Sequence, residues 1–187
     1  MYTKHSMPQQ DSQFLNPDQI IKQINLSAGA QVADLGCGTG YMSFAASHAV
    51  GAKGRVYAVD VQKAVLEQVK KEAQVEGITN IITMWSDLEV IGATKIATMS
   101  LDAVLLVNIL FLLKDKSAVF SEAKRALKKE GTLLVVDWLP GNTAIGPPAS
   151  SRVSKDTVMG LASGVGFVQE KEINAGSYHF GLVFKQQ

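Results

Sequence analysis

Apolar residues come in short runs along this chain, each followed by a longer stretch in which apolar positions recur at helical spacing. The polar stretch 1–16 reads as a flexible arm, with Phe14 and Leu15 its first anchors. Pro17 suits a first helical turn and Asn16 is placed to cap it. Ile20, Ile21 and Ile24 share one face, so a helix is predicted from Pro17 to about Asn25. The pattern then predicts strand Gln31–Leu35, helix Gly40–Ala49, strand Arg55–Asp60, helix Gln62–Glu76 and strand Ile81–Trp85. Beyond Asp87 it predicts strand Leu101–Val107, helix Lys116–Lys128, strand Thr132–Asp137, helix Ser154–Ala162, and strands Phe167–Ile173 and Tyr178–Lys185. Helix-length connections are what parallel pairing requires. Residues Asn174 to Ser177 are too few for a crossover, so the last two strands must form an antiparallel hairpin. The fold class is α/β, a Rossmann-like, mostly parallel sheet, with one domain expected over 17–187.

Composition narrows the picture. In 187 residues, 47% are hydrophobic, enough for a substantial core, and 18 basic against 17 acidic residues leave no basic field for nucleic acid. A single cysteine, Cys37, permits no internal disulfide and no multi-thiolate metal site, which fits a reducing cytoplasm. Met1 to Asn16 is polar and does not read as a signal peptide. The most apolar run, Val104–Leu113, contains Asn108 and is too short for a membrane span.

The segment carrying most chemistry is Val32 to Tyr41, where an apolar strand runs into Gly36, Gly38 and Gly40 and then into a helix. Such glycines let backbone amides approach a ligand closely. Asp60 ends the next apolar run, about 20 residues on, where such folds set a carboxylate on ribose hydroxyls. Capping the following helix is its alternative role, and the two can coexist. Dinucleotide sites favour Gly-x-Gly-x-x-Gly, whereas here the third glycine comes one residue early and Tyr41 fills the last place.

Asp34, Gly36, Gly38 and Gly40 match Asp/Glu-x-Gly-x-Gly-x-Gly, so the chain resembles the class I S-adenosylmethionine-dependent methyltransferases from about Phe14 onward. The resemblance implies S-adenosylmethionine as cofactor, strand order 3-2-1-4-5-7-6 with the last strand antiparallel, and helices on both faces. It implies that Asp34 lies near the cofactor's amino group and that Asp87, in Trp85-Ser86-Asp87-Leu88, meets the adenine amino group; a solvated carboxylate and a turn cap are the alternatives. Val32–Phe44 with Leu127–Trp138 is similar to the quinone-biosynthesis C-methyltransferase branch, with Lys129-Glu130-Gly131 replacing its Pro-Gly-Gly turn. Base N-methyltransferases often carry Asn/Asp-Pro-Pro-Tyr/Phe where this chain reads Asn108-Ile109-Leu110-Phe111.

Ligands of open parallel sheets bind at the carboxyl ends of the strands. That rule collects Asp34 to Tyr41 (with Cys37 and Thr39), Asp60, Val61, Ser86, Asp87, Leu88, Asn108 to Phe111, the segment Trp138–Arg152, Ser177, Tyr178 and His179. His179 and Tyr178 are candidates for acid–base work, with an ordinary strand histidine as the alternative. Asn108 serves either donor and acceptor or neighbouring loops. Cys37 is a small filler, Trp138 a stacking or packing surface, and Arg152 a solvated arginine or an anion partner. No metal ligand set is expected. The function expected is methyl transfer to a small organic acceptor by a cytoplasmic protein. Kept beside it are a noncatalytic S-adenosylmethionine-binding module or partner subunit, an NAD(P)-dependent oxidoreductase, and a protein or RNA methyltransferase. A homodimer is compatible with the reading.

Overall fold

A computed structural model describes residues 14–141 and 145–187; of the arm expected over 1–16, residues 1–13 lie outside the described residues. Seven strands form one sheet: β1 (Gln31–Leu35), β2 (Arg55–Asp60), β3 (Ile81–Trp85), β4 (Leu101–Val107), β5 (Leu127–Trp138), β6 (Phe167–Ile173) and β7 (His179–Gln186). Their order is β3-β2-β1-β4-β5-β7-β6. The first five pair in parallel, and β7 runs antiparallel to both β5 and β6. The order implied by the family resemblance and the terminal hairpin are therefore both present.

Helices α1 (Pro17–Gln23), α2 (Tyr41–Val50) and α3 (Lys63–Val75) cover one face, and α4 (Lys116–Ala126) and α5 (Lys155–Gly164) the other. Asn16 caps α1 by accepting from the Gln19 amide, and Ser154 caps α5 by accepting from Thr157. Ile20, Ile21 and Ile24 pack with Met42, Ala46 and Val50 over the central strands, while Val119, Phe120, Ala123, Val158 and Ala162 close the opposite side. Because β1, β4 and β5 are covered on both faces, they are buried almost continuously, without two-residue alternation.

Several element ends shift by one or two residues from expectation, and the junction of α4 and β5 shifts most. Helical spacing extends to Lys128, yet α4 ends at Ala126 because Leu127 is drawn into the sheet against Leu101. The register then jumps from Leu101/Leu127 to Ala103/Thr132, a bulge in which Glu130 adopts φ 61°. Tyr178 precedes β7 and does not belong to it.

Candidate active site

The turn after β1 is built by its own glycines. Gly36, Gly38 and Gly40 all have positive φ, at 81°, 51° and 86°. The Gly36 and Cys37 amides both donate to the Val59 carbonyl, at 2.8 and 2.9 Å, binding the turn to the end of β2. A Cβ on Gly36 would lie 2.6 Å from Ile109 and one on Gly40 2.9 Å from Val69, but one on Gly38 would meet nothing within 4 Å. Gly36 and Gly40 therefore serve packing, while Gly38 borders open space.

Asp60 ties three elements together. Its Oδ2 accepts from the Gly38 amide at 3.0 Å and its Oδ1 from the Gln62 amide at 2.9 Å, and its own carbonyl accepts from Ser86 at 3.1 Å. The Gln62 bond closes the turn ahead of α3, whose N-cap Gln62 has no side-chain cap bond, so Asp60 does not cap that helix, and the same carboxylate bonds the glycine turn at Gly38. Asp34 is buried, not solvated: its carboxylate accepts from the Ser43 hydroxyl at 2.6 Å and from the Ser43 amide in the first turns of α2. Burial pushes its pKa up to about 6; the Ser43 hydrogen bonds oppose that rise and the nearby Asp60 adds to it.

Along the rim, Val61 and Trp85 are exposed side by side, the Trp85 indole donating to the Val61 carbonyl at 2.7 Å, with Lys63 Nζ 5.7 Å from the Trp85 ring. Ser86 and Leu88 are buried. Asp87 is exposed and its carboxylate accepts from the Glu89 amide, the turn-capping geometry. Thr39 is exposed at the turn. Cys37 is buried, its thiol pushed up by burial, then by Asp34 and Asp60.

At the end of β4, Asn108 adopts φ 54°, donates its amide to the Val136 carbonyl, and buries an Oδ1 that has no partner. His179 stands opposite Trp138 in the β5–β7 ladder, their ring centroids 4.2 Å apart. It is 5% exposed and neither ring nitrogen has a partner. Burial, then the Arg152 charge, pushes its pKa down to about 4, so the imidazole is neutral at pH 7. Tyr178 is half-buried, its ring 5.7 Å from Phe14.

Two residues differ from expectation. Arg152 is half-buried and engaged with its own loop: its guanidinium donates to the carbonyls of Pro147, Leu139 and Ile145 at 2.8 to 3.0 Å and lies 5.7 Å from the Trp138 ring. Asp137, not singled out from the sequence, accepts from the Leu110 and Trp138 amides at 3.2 and 2.8 Å and so fixes the turn after β4. Its signal was available, since Asp137 closes an apolar run as Asp34 and Asp60 nearly do. Among the described residues no group of three His, Cys, Asp or Glu is disposed to hold a metal, and no helix is long and apolar enough to cross a membrane. A polar cavity of about 550 Å³, lined in part by Asn25 to Ala30, Asp102 and Lys128 to Thr132, lies at the opposite, amino-terminal edge of the sheet, away from these residues.

Comparison with known proteins follows the same geometry. Residues 26–164 match the family model of a methyltransferase domain. The aklanonic acid methyltransferase DauC of Streptomyces sp. (strain C5) is 39% identical over 64 residues, 34% of this chain and 29% of that enzyme, so the chain spans about a third of the length of such curated relatives. A putative type 11 methyltransferase from Sulfolobus solfataricus is 32% identical, with a TM-score of 0.75 over 93% of this chain and 94% of that one. A SAM-dependent methyltransferase from Aquifex aeolicus, at 24% identity, superposes with a TM-score of 0.86 over 94% of this chain and 92% of its own.

Proposed function

The chain belongs to the methyltransferase domain family, and from that premise we propose that it transfers a methyl group from S-adenosylmethionine to a small organic acceptor in the cytoplasm, as a single domain over 17–187. The observation that carries the reading is the Gly38 turn, open on the side of its missing Cβ and tied by its amide to the Asp60 carboxylate. That cradle, with two buried carboxylates beside it, fits a nucleoside with a charged amino-acid tail. When bound, the cofactor supplies a methyl carbon on a sulfonium: the acceptor atom forms a bond to that carbon as the carbon–sulfur bond breaks, leaving a neutral thioether, and the acceptor loses a proton to solvent or a base.

The chain's own residues then bind and orient. Asp60 would take the ribose hydroxyls through the carboxylate lone pairs its two backbone donors leave free. Gly36, Cys37, Gly38, Thr39 and Gly40 would line the tail with backbone, and Asp34 would face its amino group. Val61 and Leu88 would flank the adenine, with Ser86 and Asp87 at its edge. Asn108 would lie between cofactor and acceptor, and Tyr178 and His179 would lie on the acceptor side. Alignment of nucleophile, carbon and sulfur supplies most of the acceleration such a reaction needs.

Release of S-adenosylhomocysteine from S-adenosylmethionine tests this with a panel of small hydroxyl, keto, amine and carboxylate acceptors, against protein and RNA. Turnover with a small molecule and none with macromolecules supports the reading; turnover only on protein or RNA overturns the acceptor, and cofactor binding without turnover on any of them favours the noncatalytic module.

A further inference from the structure

Among the described residues Asn108, His179 and Gln186 bury a polar atom without a partner, and His179 alone buries two. Buried polar groups are nearly always hydrogen-bonded, and an unpartnered one costs about 1–3 kcal/mol. Here both ring nitrogens are buried without a partner, at the mouth of β7 where that strand meets the carboxyl ends of its parallel neighbours. The ring is held by Trp138, whose other surroundings are fixed in turn. Gly146 lies so near the indole that a Cβ there would fall 2.6 Å from it, and Arg152 is anchored on three loop carbonyls beside it. An imidazole immobilised this way, with its hydrogen-bonding capacity unspent, is preorganised for a ligand.

We infer that His179 selects the acceptor by hydrogen-bonding an uncharged oxygen group, a hydroxyl or a carbonyl, and that it discriminates against carboxylates and amines at that point. The inference rests on the methyltransferase reading and names the acceptor chemistry of the same site. A neutral imidazole carries one N–H donor and one lone-pair acceptor, which match a carbonyl and a hydroxyl respectively. A carboxylate would lose its water against a single neutral donor, and the Arg152 guanidinium, turned to backbone carbonyls, would offset that cost only in part through its charge. An ammonium would be set beside the Arg152 charge, the same charge that disfavours a proton on His179. His179 is thus a specificity-determining group for the acceptor, too weakly basic to serve as the principal proton acceptor.

The test uses the full chain labelled with 15N-histidine and saturated with S-adenosylhomocysteine. The three histidines are assigned by His5→Gln and His48→Gln, so that assignment does not depend on His179→Gln folding. Imidazole 15N spectra are recorded with benzyl alcohol, benzoate and benzylamine as probes at equal concentration. The expected result is a displacement of the His179 nitrogens by benzyl alcohol at least several-fold larger than by either charged probe. No displacement by any probe, or an equal one by benzoate or benzylamine, overturns the inference while leaving the cofactor reading intact. Failure of S-adenosylhomocysteine to bind in calorimetry would instead remove the reading beneath it.

Discussion

Single residues at this site do separable work, and the glycines show it best. Gly36→Ala drives a Cβ into Ile109 in a left-handed conformation, so a loss of about 1–3 kcal/mol of stability is expected by chemical denaturation. Gly38→Ala meets no neighbour; it should cost only about 1–2 kcal/mol of backbone strain and act chiefly on S-adenosylhomocysteine affinity, which is expected to fall at least tenfold. A Gly38→Ala protein that binds as well as the wild type would contradict the assignment of that open space to the cofactor. Titrating groups give a second pair of opposites. With a folded pKa of about 4, His179 holds fewer protons than in the unfolded chain between about pH 4 and 6.5, so its contribution to stability is lost as pH falls through that window. Asp137, pushed up to about 6 by burial against its hydrogen bonds, holds more protons folded than unfolded between about pH 4 and 6, so its contribution is lost as pH rises. Unfolding free energies at pH 4.5, 5.5 and 7 should therefore show the His179→Gln curve flatter on the acid side and the Asp137→Asn variant gaining on the wild type toward neutrality; curves parallel to wild type would contradict both. Depth is what the sequence hides at this scale. Nothing in Tyr178-His179-Phe180 distinguishes a rim imidazole from a buried one, and the same string of types around Arg152 fits a solvated guanidinium or one spent on three carbonyls.

At the scale of elements, the alternation of strand and helix was legible because strands run into glycine or aspartate, as β1 does at Gly36 and β2 at Asp60, and helices open at caps such as Asn16 and Ser154. The start of β5 was not, because Leu127 and Lys128 continue the helical period of α4 and only the partner Leu101 draws them into the sheet. The segment between β3 and β4 was equally silent, and it matters to the site since it continues from Asp87 and Leu88. It is held to α4 by Glu122, which is 1% exposed and accepts from Gly92, Thr94 and, through both oxygens, Arg125. Burial pushes the Glu122 pKa up, but these hydrogen bonds outweigh it and hold the group below the usual carboxylate range. Glu122→Ala strands these donors and should cost about 3–5 kcal/mol. Hydrogen exchange should accelerate over 89–99 while amides in β1 and β4 stay protected, and S-adenosylhomocysteine affinity should fall; unchanged exchange in that segment would show that Glu122 does not hold it.

Across the whole molecule, the topology assembles the site. Strands β1, β2, β3 and β4 deliver the glycine turn, Asp60, the Ser86–Leu88 segment and Asn108 to one edge, and reversal of β7 brings Tyr178 and His179 to that edge from the far end of the chain. Sheet order cannot be read from hydrophobic period alone, which fixes faces and leaves neighbours open; it came from the motif shared with a family and agrees with the pairing. The same geometry, an open turn at Gly38 backed by Asp60, is the central claim. Calorimetric titration with S-adenosylmethionine, S-adenosylhomocysteine and NAD, on the wild type beside Asp60→Ala, tests it most directly. Saturable one-site binding of both adenosyl ligands, none of NAD, and a loss of at least tenfold in the variant are predicted; absence of adenosyl binding, or preference for NAD, would contradict the account.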